Sequence, residues 1–350
     1  MGETFQSVLV TGGCGFIGSH FVELMLSQYP NMLITNVDAL TYAAHPDTPA
    51  RLSAVGGGRY EFLQKNINDV SLGADLDRRG VDVVVNFAAE THVDRSILEP
   101  HIFLETNVVG LQNLLTLCRK RNLRLVQVST DEVYGSLEPS DKPFTEQSPL
   151  SPNSPYAAAK ASADLIAFAA QRTYKQDVVI TRCSNNFGPG QFPEKLLPLL
   201  IANASEGLPI PVYGDGKQVR DWIYVTDHCA AVDRVMCDGK SGEAYNISAY
   251  GEQKNIDLIK RVLDIMNKPH SLIQFVGDRP AHDRRYALEN KKIGQELGWS
   301  PKFSFDEGLA KTVAWYRSNE AWLKKVRGQD YQKYYKANYD SKMKQTERAV

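Results

Sequence analysis

Tyr156 and Lys160 stand four residues apart in the stretch SPYAAAKAS. Ser154 can cap a helix there and Pro155 can occupy its first turn, which puts both side chains on one helix face. A phenol with an ordinary pKa of about 10 is a poor base at neutral pH; a nearby ammonium and the charge of a nicotinamide would lower it toward a working value. Upstream, Ser129-Thr130-Asp131-Glu132 closes a strand-like run. Thr130 brings a hydroxyl to the oxygen that Tyr156 would deprotonate. Asp131 and Glu132 offer an acid and a base from one dipeptide. One carboxylate can take a carbon-bound proton while the other protonates a departing hydroxyl, which is what elimination of water requires. Adjacent acids are elsewhere a solvated turn; the position just beyond a strand end favours chemistry.

A redox partner for that site is written into the N-terminus. Gly12, Gly15 and Gly18 form GxxGxxG in VTGGCGFIGSH, after a strand and at the opening of a helix, with Phe16 and Ile17 inside the loop. Glycines at these positions allow a tight turn and close approach of backbone to a pyrophosphate at a helix N-terminus. Asp38 ends the second strand, followed by Ala39, Leu40 and Thr41. A carboxylate there accepts hydrogen bonds from ribose hydroxyls and repels a 2′-phosphate, so NAD is expected rather than NADP. Asn66 and Ile67, past the third strand, suit the adenine edge. Phe87, Ala88, Ala89 and Thr91, past the fourth, suit the nicotinamide side. Thr106, Asn186, Tyr156 and Lys160 complete the expected cofactor set.

The elements that must hold these residues alternate. Strand-like runs occur at Val8–Thr11, Leu33–Asp38, Tyr60–Gln64, Val83–Phe87, Leu125–Ser129 and Val178–Arg182, and helical patterns at Phe16–Gln28, Phe103–Arg121 and Ser154–Tyr174. Continuous apolar strands between helices predict a parallel sheet covered on both faces. The fold class is α/β: a Rossmann-type doubly wound sheet with a smaller C-terminal α/β lobe for substrate. Residues 1–184 form the first domain, rejoined by a segment near 222–247. Residues 185–330 form the second lobe, with helices expected at Ile256–Met266 and Phe305–Trp322, and 331–350 a tail.

The bulk composition narrows the class. The chain has 350 residues, 43% of them hydrophobic and 23% charged, with a net charge of −1. No basic excess argues for nucleic acid and no apolar stretch reaches membrane-spanning length. Cys14, Cys118, Cys183, Cys229 and Cys237 contain no CxxC pair. Neither a disulfide framework nor a metal site is expected, and a reducing, cytoplasmic setting is. Met1–Gln6 reads as no signal peptide, and Gln6 spoils a myristoylation motif at Gly2.

VTGGCGFIGS, DALTYA, AAETHVDRSI, STDEVYG, SPYAAAKAS, CSNNFGPGQFPEKLLP, VYGDGKQVRDWIYVTDH, YNIS, KNID and DRPAHDRRY together resemble the dTDP-glucose 4,6-dehydratase family of extended short-chain dehydrogenases/reductases. The likeness runs from Val8 to about Trp322. It implies that Tyr156, helped by Lys160 and Thr130, deprotonates the 4-hydroxyl as hydride leaves C4 for NAD. Glu132 would then remove the C5 proton, Asp131 protonate the departing C6 hydroxyl, and hydride return to C6. Substrate positions implied by the match are Thr91, Thr130, Asn185, Glu194, Lys195 and Leu196. Pro211, Tyr213, Arg220 and Asn255 follow, then Asp278, Arg279, His282 and Tyr286. The arginines have the fork chemistry for a diphosphate. A homodimer paired through Phe103–Arg121 and Ser154–Tyr174 is implied too. Cys14, Asn66, Phe187 and Ala281 depart from the family's usual alanine, aspartate, tyrosine and glycine. Rivals are a 4,6-dehydratase, epimerase or decarboxylase for a UDP- or GDP-sugar, and a non-catalytic NAD sensor. An epimerase needs no elimination acid, and a sensor needs neither Tyr156, Lys160 nor Glu132.

Overall fold

The computed structural model describes residues 5–328; the expected tail, 331–350, lies outside the described residues. Seven strands form one sheet: β1 Ser7–Thr11, β2 Leu33–Asp38, β3 Tyr60–Gln64, β4 Val83–Asn86, β5 Arg124–Thr130, β6 Val178–Cys183 and β7 Ala244–Ile247. Their order is β7-β6-β5-β4-β1-β2-β3, and every neighbouring pair is parallel. This is the doubly wound α/β sheet that the alternating pattern predicts.

The side-chain period of two divides each strand between two cores. Val8 and Val10 of β1 and Val83 and Val85 of β4 face a layer containing Phe21, Met25, Val232 and Met236. Leu9 and Val84 face the opposite layer, with Leu114, Ala163 and Ala167. Both faces being covered explains why the strands read as unbroken apolar runs. Chain direction across the sheet reverses between β1 and β4, opening a crevice at their carboxyl ends.

The helix expected over Phe103–Arg121 is interrupted. Pro100–Leu104 and Leu111–Arg121 flank a wide π-turn at Glu105–Gly110. Gly110 allows the near approach of Ile67, whose Cδ1 would lie 2.4 Å from an added Cβ. The same turn aims Asn107 at the loop after β4: its Oδ1 accepts from Glu90 N–H at 2.9 Å and its Nδ2 donates to Glu90 carbonyl at 3.0 Å. The expected helix at Phe305–Trp322 is likewise two, Phe305–Ser318 and Glu320–Val326, parted at Asn319.

The second lobe has its own core, including Leu197, Leu200, Ile259, Leu263 and Tyr316. Short ladders tie it together. Trp222–Tyr224 runs parallel to Asn185–Phe187, Ile273–Val276 parallel to Ile210–Tyr213, and Gln253–Lys254 antiparallel to Val219–Arg220. After these excursions the chain returns. Helix Val225–Asp238 covers one sheet face, and β7 pairs with β6 at the sheet edge.

Candidate active site

The glycine loop divides its work by position. Gly12 has φ +70°, and an added Cβ would sit 2.6 Å from Ala88 N at the end of β4. At Gly18 an added Cβ would lie 2.3 Å from Gly12 carbonyl oxygen, so no larger residue fits where the helix leaves the strand. Gly15 meets only Gly12 carbonyl oxygen, at 3.3 Å, and its open side faces a cavity. Helix Phe16–Gln28 begins at Gly15 with no side-chain cap, which leaves its positive end open to an anion. Gly13 is equally tight, 2.2 Å from Asn36 Oδ1; its position outside the GxxGxxG frame hid it. Asp38 is buried and accepts from Cys14 N–H at 2.9 Å and Leu40 N–H at 2.8 Å. Burial raises its pKa while those bonds hold it down.

The cavity beyond the loop is lined by every residue expected at a cofactor except one. Leu40 is absent from the lining. Its φ of +53° makes the turn in which its amide caps Asp38, so its backbone shapes the site while its side chain stays outside. Lys65, Ser129, Cys183, Ser184, Gln191 and Phe192 also line this cavity. The first four stand at or just past the carboxyl ends of β3, β5 and β6, so the strand-end rule would have found them.

Tyr156 and Lys160 project from helix Pro155–Tyr174, capped by Ser154, whose Oγ accepts from Ala157 N–H at 3.1 Å. Tyr156 is buried beside Phe103, ring centroids 6.2 Å apart. Lys160 Nζ donates to Val128 carbonyl at 2.6 Å. The expectation that Lys160 lowers the phenol's pKa is not met by the chain's own groups. Burial, then Glu132, push Tyr156 well up, while the Thr130 hydroxyl pulls down. Burial also lowers Lys160, against the charge of Asp164.

Asp131 and Glu132 occupy a short 3-10 turn at the end of β5, opened by Thr130, whose Oγ1 accepts from Glu132 N–H at 3.3 Å. Their surroundings differ. Asp131 is buried, its Oδ1 takes the Thr130 hydroxyl at 3.2 Å, and its Oδ2 has no partner. Burial and then the anionic Glu132 and Asp221 raise its pKa well above the usual range. Glu132 is raised by burial too, but Arg279, Lys195 and Arg220 oppose the rise. Burial pushes both carboxyls up; neighbouring anions push Asp131 further, while three cations hold Glu132 back.

A second cleft opens beside the first, and Glu132, Asn185, Glu194 and Lys195 line both. Leu196, Pro211, Tyr213, Arg220, Asn255, Arg279, His282 and Tyr286 converge on it from separate segments. Thr91 and Thr130 line the first cavity instead. Asp278 lines neither. Its carboxylate accepts from Gln218 Nε2 at 3.2 Å and from the His282 ring at 2.5 Å, so it supports the lining from behind. Arg220 is buried, donates to Asp283 carbonyl at 2.9 Å and lies 4.4 Å over the Tyr286 ring. Burial, with Arg279 nearby, lowers His282 to about 4, so its imidazole is neutral. His92, Asp94 and Trp222 also line the cleft; their neighbours in sequence carry no local signal for it.

A glycine-looped Rossmann sheet with an i, i+4 tyrosine–lysine helix beside the crevice defines an extended short-chain dehydrogenase/reductase. Residues 9–312 match the family model described as GDP-mannose 4,6 dehydratase. A dTDP-glucose 4,6-dehydratase of Xanthomonas campestris pv. campestris is 46% identical over 338 residues, 91% of this chain and 95% of its own. One from Escherichia coli is 42% identical, over 96% of this chain and 100% of its own. DesIV, the dTDP-glucose 4,6-dehydratase of Streptomyces venezuelae solved with NAD and a second ligand bound, is 47% identical with a TM-score of 0.88, over 91% of this chain and 99% of that chain. A UDP-glucose 4-epimerase of Thermotoga maritima superposes at a TM-score of 0.83 but is 28% identical, over 90% of this chain and 99% of that chain. The chain belongs to the dTDP-glucose 4,6-dehydratase family.

Proposed function

We propose that this protein converts dTDP-glucose to dTDP-4-keto-6-deoxyglucose and water, as an NAD-dependent hydro-lyase. The observation that carries the reading is the unequal Asp131–Glu132 pair beside Tyr156. A redox step alone needs neither the buried Asp131 carboxyl with its unpartnered Oδ2 nor the second carboxyl, Glu132, set among Arg279, Lys195 and Arg220.

The cradle fits a dinucleotide: Gly15 leaves room for a diphosphate against an uncapped helix N-terminus, and Asp38 reaches the ribose position. NAD held there would supply the redox chemistry, as acceptor of hydride from C4 and its donor to C6. The chain's residues move the protons. Tyr156 Oη takes the proton of the 4-hydroxyl, and the pyridinium charge of the cofactor offsets the burial that raises its pKa. Thr130 holds that oxygen, and Lys160, fixed on Val128 carbonyl, stands one helical turn beyond it. With a ketone at C4, the Glu132 carboxylate takes the C5 proton. Asp131 gives its proton to O6, the C6–O bond breaks and water leaves; as C6 regains hydride, Glu132 returns its proton to C5. Arg220 and Arg279 hold the diphosphate of the nucleotide, and Asn185, Glu194 and Lys195 border both the sugar and the nicotinamide end.

A homodimer in the cytoplasm completes the reading. Leu104, Val109, Leu165 and Tyr174 leave apolar side chains exposed near or along the two helical segments expected to pair. All five cysteines are free thiols, which suits a reducing compartment. Among the described residues no helix is long and apolar enough to cross a membrane.

Purified protein incubated with dTDP-glucose, UDP-glucose or GDP-mannose, with products identified by mass, tests the assignment. Loss of one water from dTDP-glucose, with much slower turnover of the others, is expected. Equal or faster turnover of UDP-glucose or GDP-mannose would move the base preference. An epimer of unchanged mass would replace dehydration with epimerisation.

A further inference from the structure

Glu194 sits where the two cavities meet, with a side chain only 1% exposed. Buried carboxylates need partners, and the partners here come from the segments after β2 and β4. Tyr42 hydroxyl donates to Glu194 Oε1 at 3.0 Å, and Arg95 Nε pairs with Glu194 Oε2 at 3.4 Å. The Arg95 guanidinium lies 3.6 Å over the Tyr42 ring, so the three side chains form one stack. Phe192 meets the other side of the arrangement, its ring edge-on to Tyr42 at 5.7 Å. Burial and Glu194 both push the Tyr42 phenol up, which keeps it a donor.

Neither Tyr42 nor Arg95 lines either cavity, yet both are joined to segments that do. Thr41, Ala43 and Ala44, on either side of Tyr42, line the dinucleotide cavity. His92, Val93 and Asp94, just before Arg95, line the second cleft. The next residue along, Lys195, is pinned in the same direction: its Nζ donates to Thr91 carbonyl at 2.8 Å. The 191–195 segment is thus latched onto the segments after β2 and β4 by hydrogen bonds, an ion pair and a ring contact. Order imposed on the 39–44 loop by a dinucleotide passes to the Glu194 carboxylate through Tyr42, and the reverse must hold by linkage.

We propose that Tyr42 and Arg95 are positioning residues that act through Glu194, coupling occupancy of the dinucleotide cavity to the affinity of the nucleotide-sugar cleft. The inference rests on the dehydratase reading for the identity of the two ligands. Tyr42→Phe keeps the ring and its stack on Arg95 and removes one hydrogen bond to a charged group, a loss on the order of tenfold in affinity.

The experiment measures NAD dissociation from the holoenzyme with and without saturating dTDP, together with steady-state kinetics on dTDP-glucose. In the wild type, dTDP slows NAD loss. In Tyr42→Phe that slowing shrinks toward none and KM for dTDP-glucose rises roughly tenfold, while kcat changes by less than about threefold. Arg95→Lys, which keeps charge but loses the planar stack, gives an intermediate result. Tyr42→Phe combined with Glu194→Gln costs no more than Glu194→Gln alone. A variant whose NAD loss is slowed by dTDP as in the wild type overturns the proposal, as does a wild type in which dTDP has no effect. A lowered melting temperature with unchanged coupling also overturns it and leaves a structural role. A wild type that does not dehydrate dTDP-glucose defeats the functional reading instead, and is seen in the control.

Discussion

The dinucleotide cradle and the nucleotide-sugar cleft are built in opposite ways. The cradle is made of backbone: three glycines whose missing Cβ atoms are each answered by a neighbouring main-chain atom or an open cavity, a helix end and strand termini. The cleft is made of side chains drawn from segments as far apart as Glu132, Pro211 and Tyr286. A site made of backbone cannot accept an added atom. A site made of side chains accepts added or exchanged atoms but not a lost charge or fork. The fold that carries both sites is shared with a 4-epimerase at 28% identity.

Three substitutions probe that contrast, from the largest expected effect to the smallest. Gly12→Ala puts a methyl 2.6 Å from Ala88 N on a residue with φ +70°. Strain of about 1–2 kcal/mol from the left-handed backbone alone adds to the clash. The variant should purify without dinucleotide and without activity. Full cofactor content, read by releasing and quantifying the nucleotide, would show that the cradle is not set by backbone fit.

Glu132→Gln changes one atom type at the seam between the regions. Tyr156, Lys160 and the cradle are untouched, so C4 oxidation should persist and substrate-dependent nicotinamide absorbance should appear and stay. Product formation should fall by about 10²–10⁴-fold, with slow deuterium entry at C5 from heavy water. Normal product with normal deuterium uptake would require another C5 base.

Arg220→Lys tests the cleft alone. Charge is kept, but the planar fork over Tyr286 is lost. KM for dTDP-glucose should rise roughly tenfold, with dinucleotide content in the absence of substrate unchanged. A matching fall in bound dinucleotide would show that the regions are not separable at this residue.

The same contrast explains what could be read from the chain. Gly12, Gly15, Gly18 and Asp38 are legible because backbone demands are local, and helix Pro155–Tyr174 starts within a residue of its cap signal at Ser154. The parallel sheet follows from strands apolar on both faces. Residues supplied by tertiary approach were visible only through family resemblance, or not at all: Trp222 and His92 reach the cleft through short ladders and loop packing that no periodicity announces. The interruption of Phe103–Arg121 was hidden because a π-turn keeps the helical pattern of apolar residues while adding one residue to the turn. Sequence spacing shows the ammonium near Tyr156 but neither the burial nor Glu132, which both push the phenol's pKa up.

The return of the chain to β7 matters before the protein is finished. A ribosome that has released residues up to Cys183 has exposed a sheet whose β6 edge is unpaired. The face later covered by Val232, Val235 and Met236 is also bare at that moment. Both remain open while the whole intervening stretch of the second lobe is made. An unpaired parallel edge beside an uncovered apolar face invites wrong pairing between nascent chains. The last strand of the sheet therefore acts as a delayed seal, and the interval before it arrives is when wrong pairing has its widest opening.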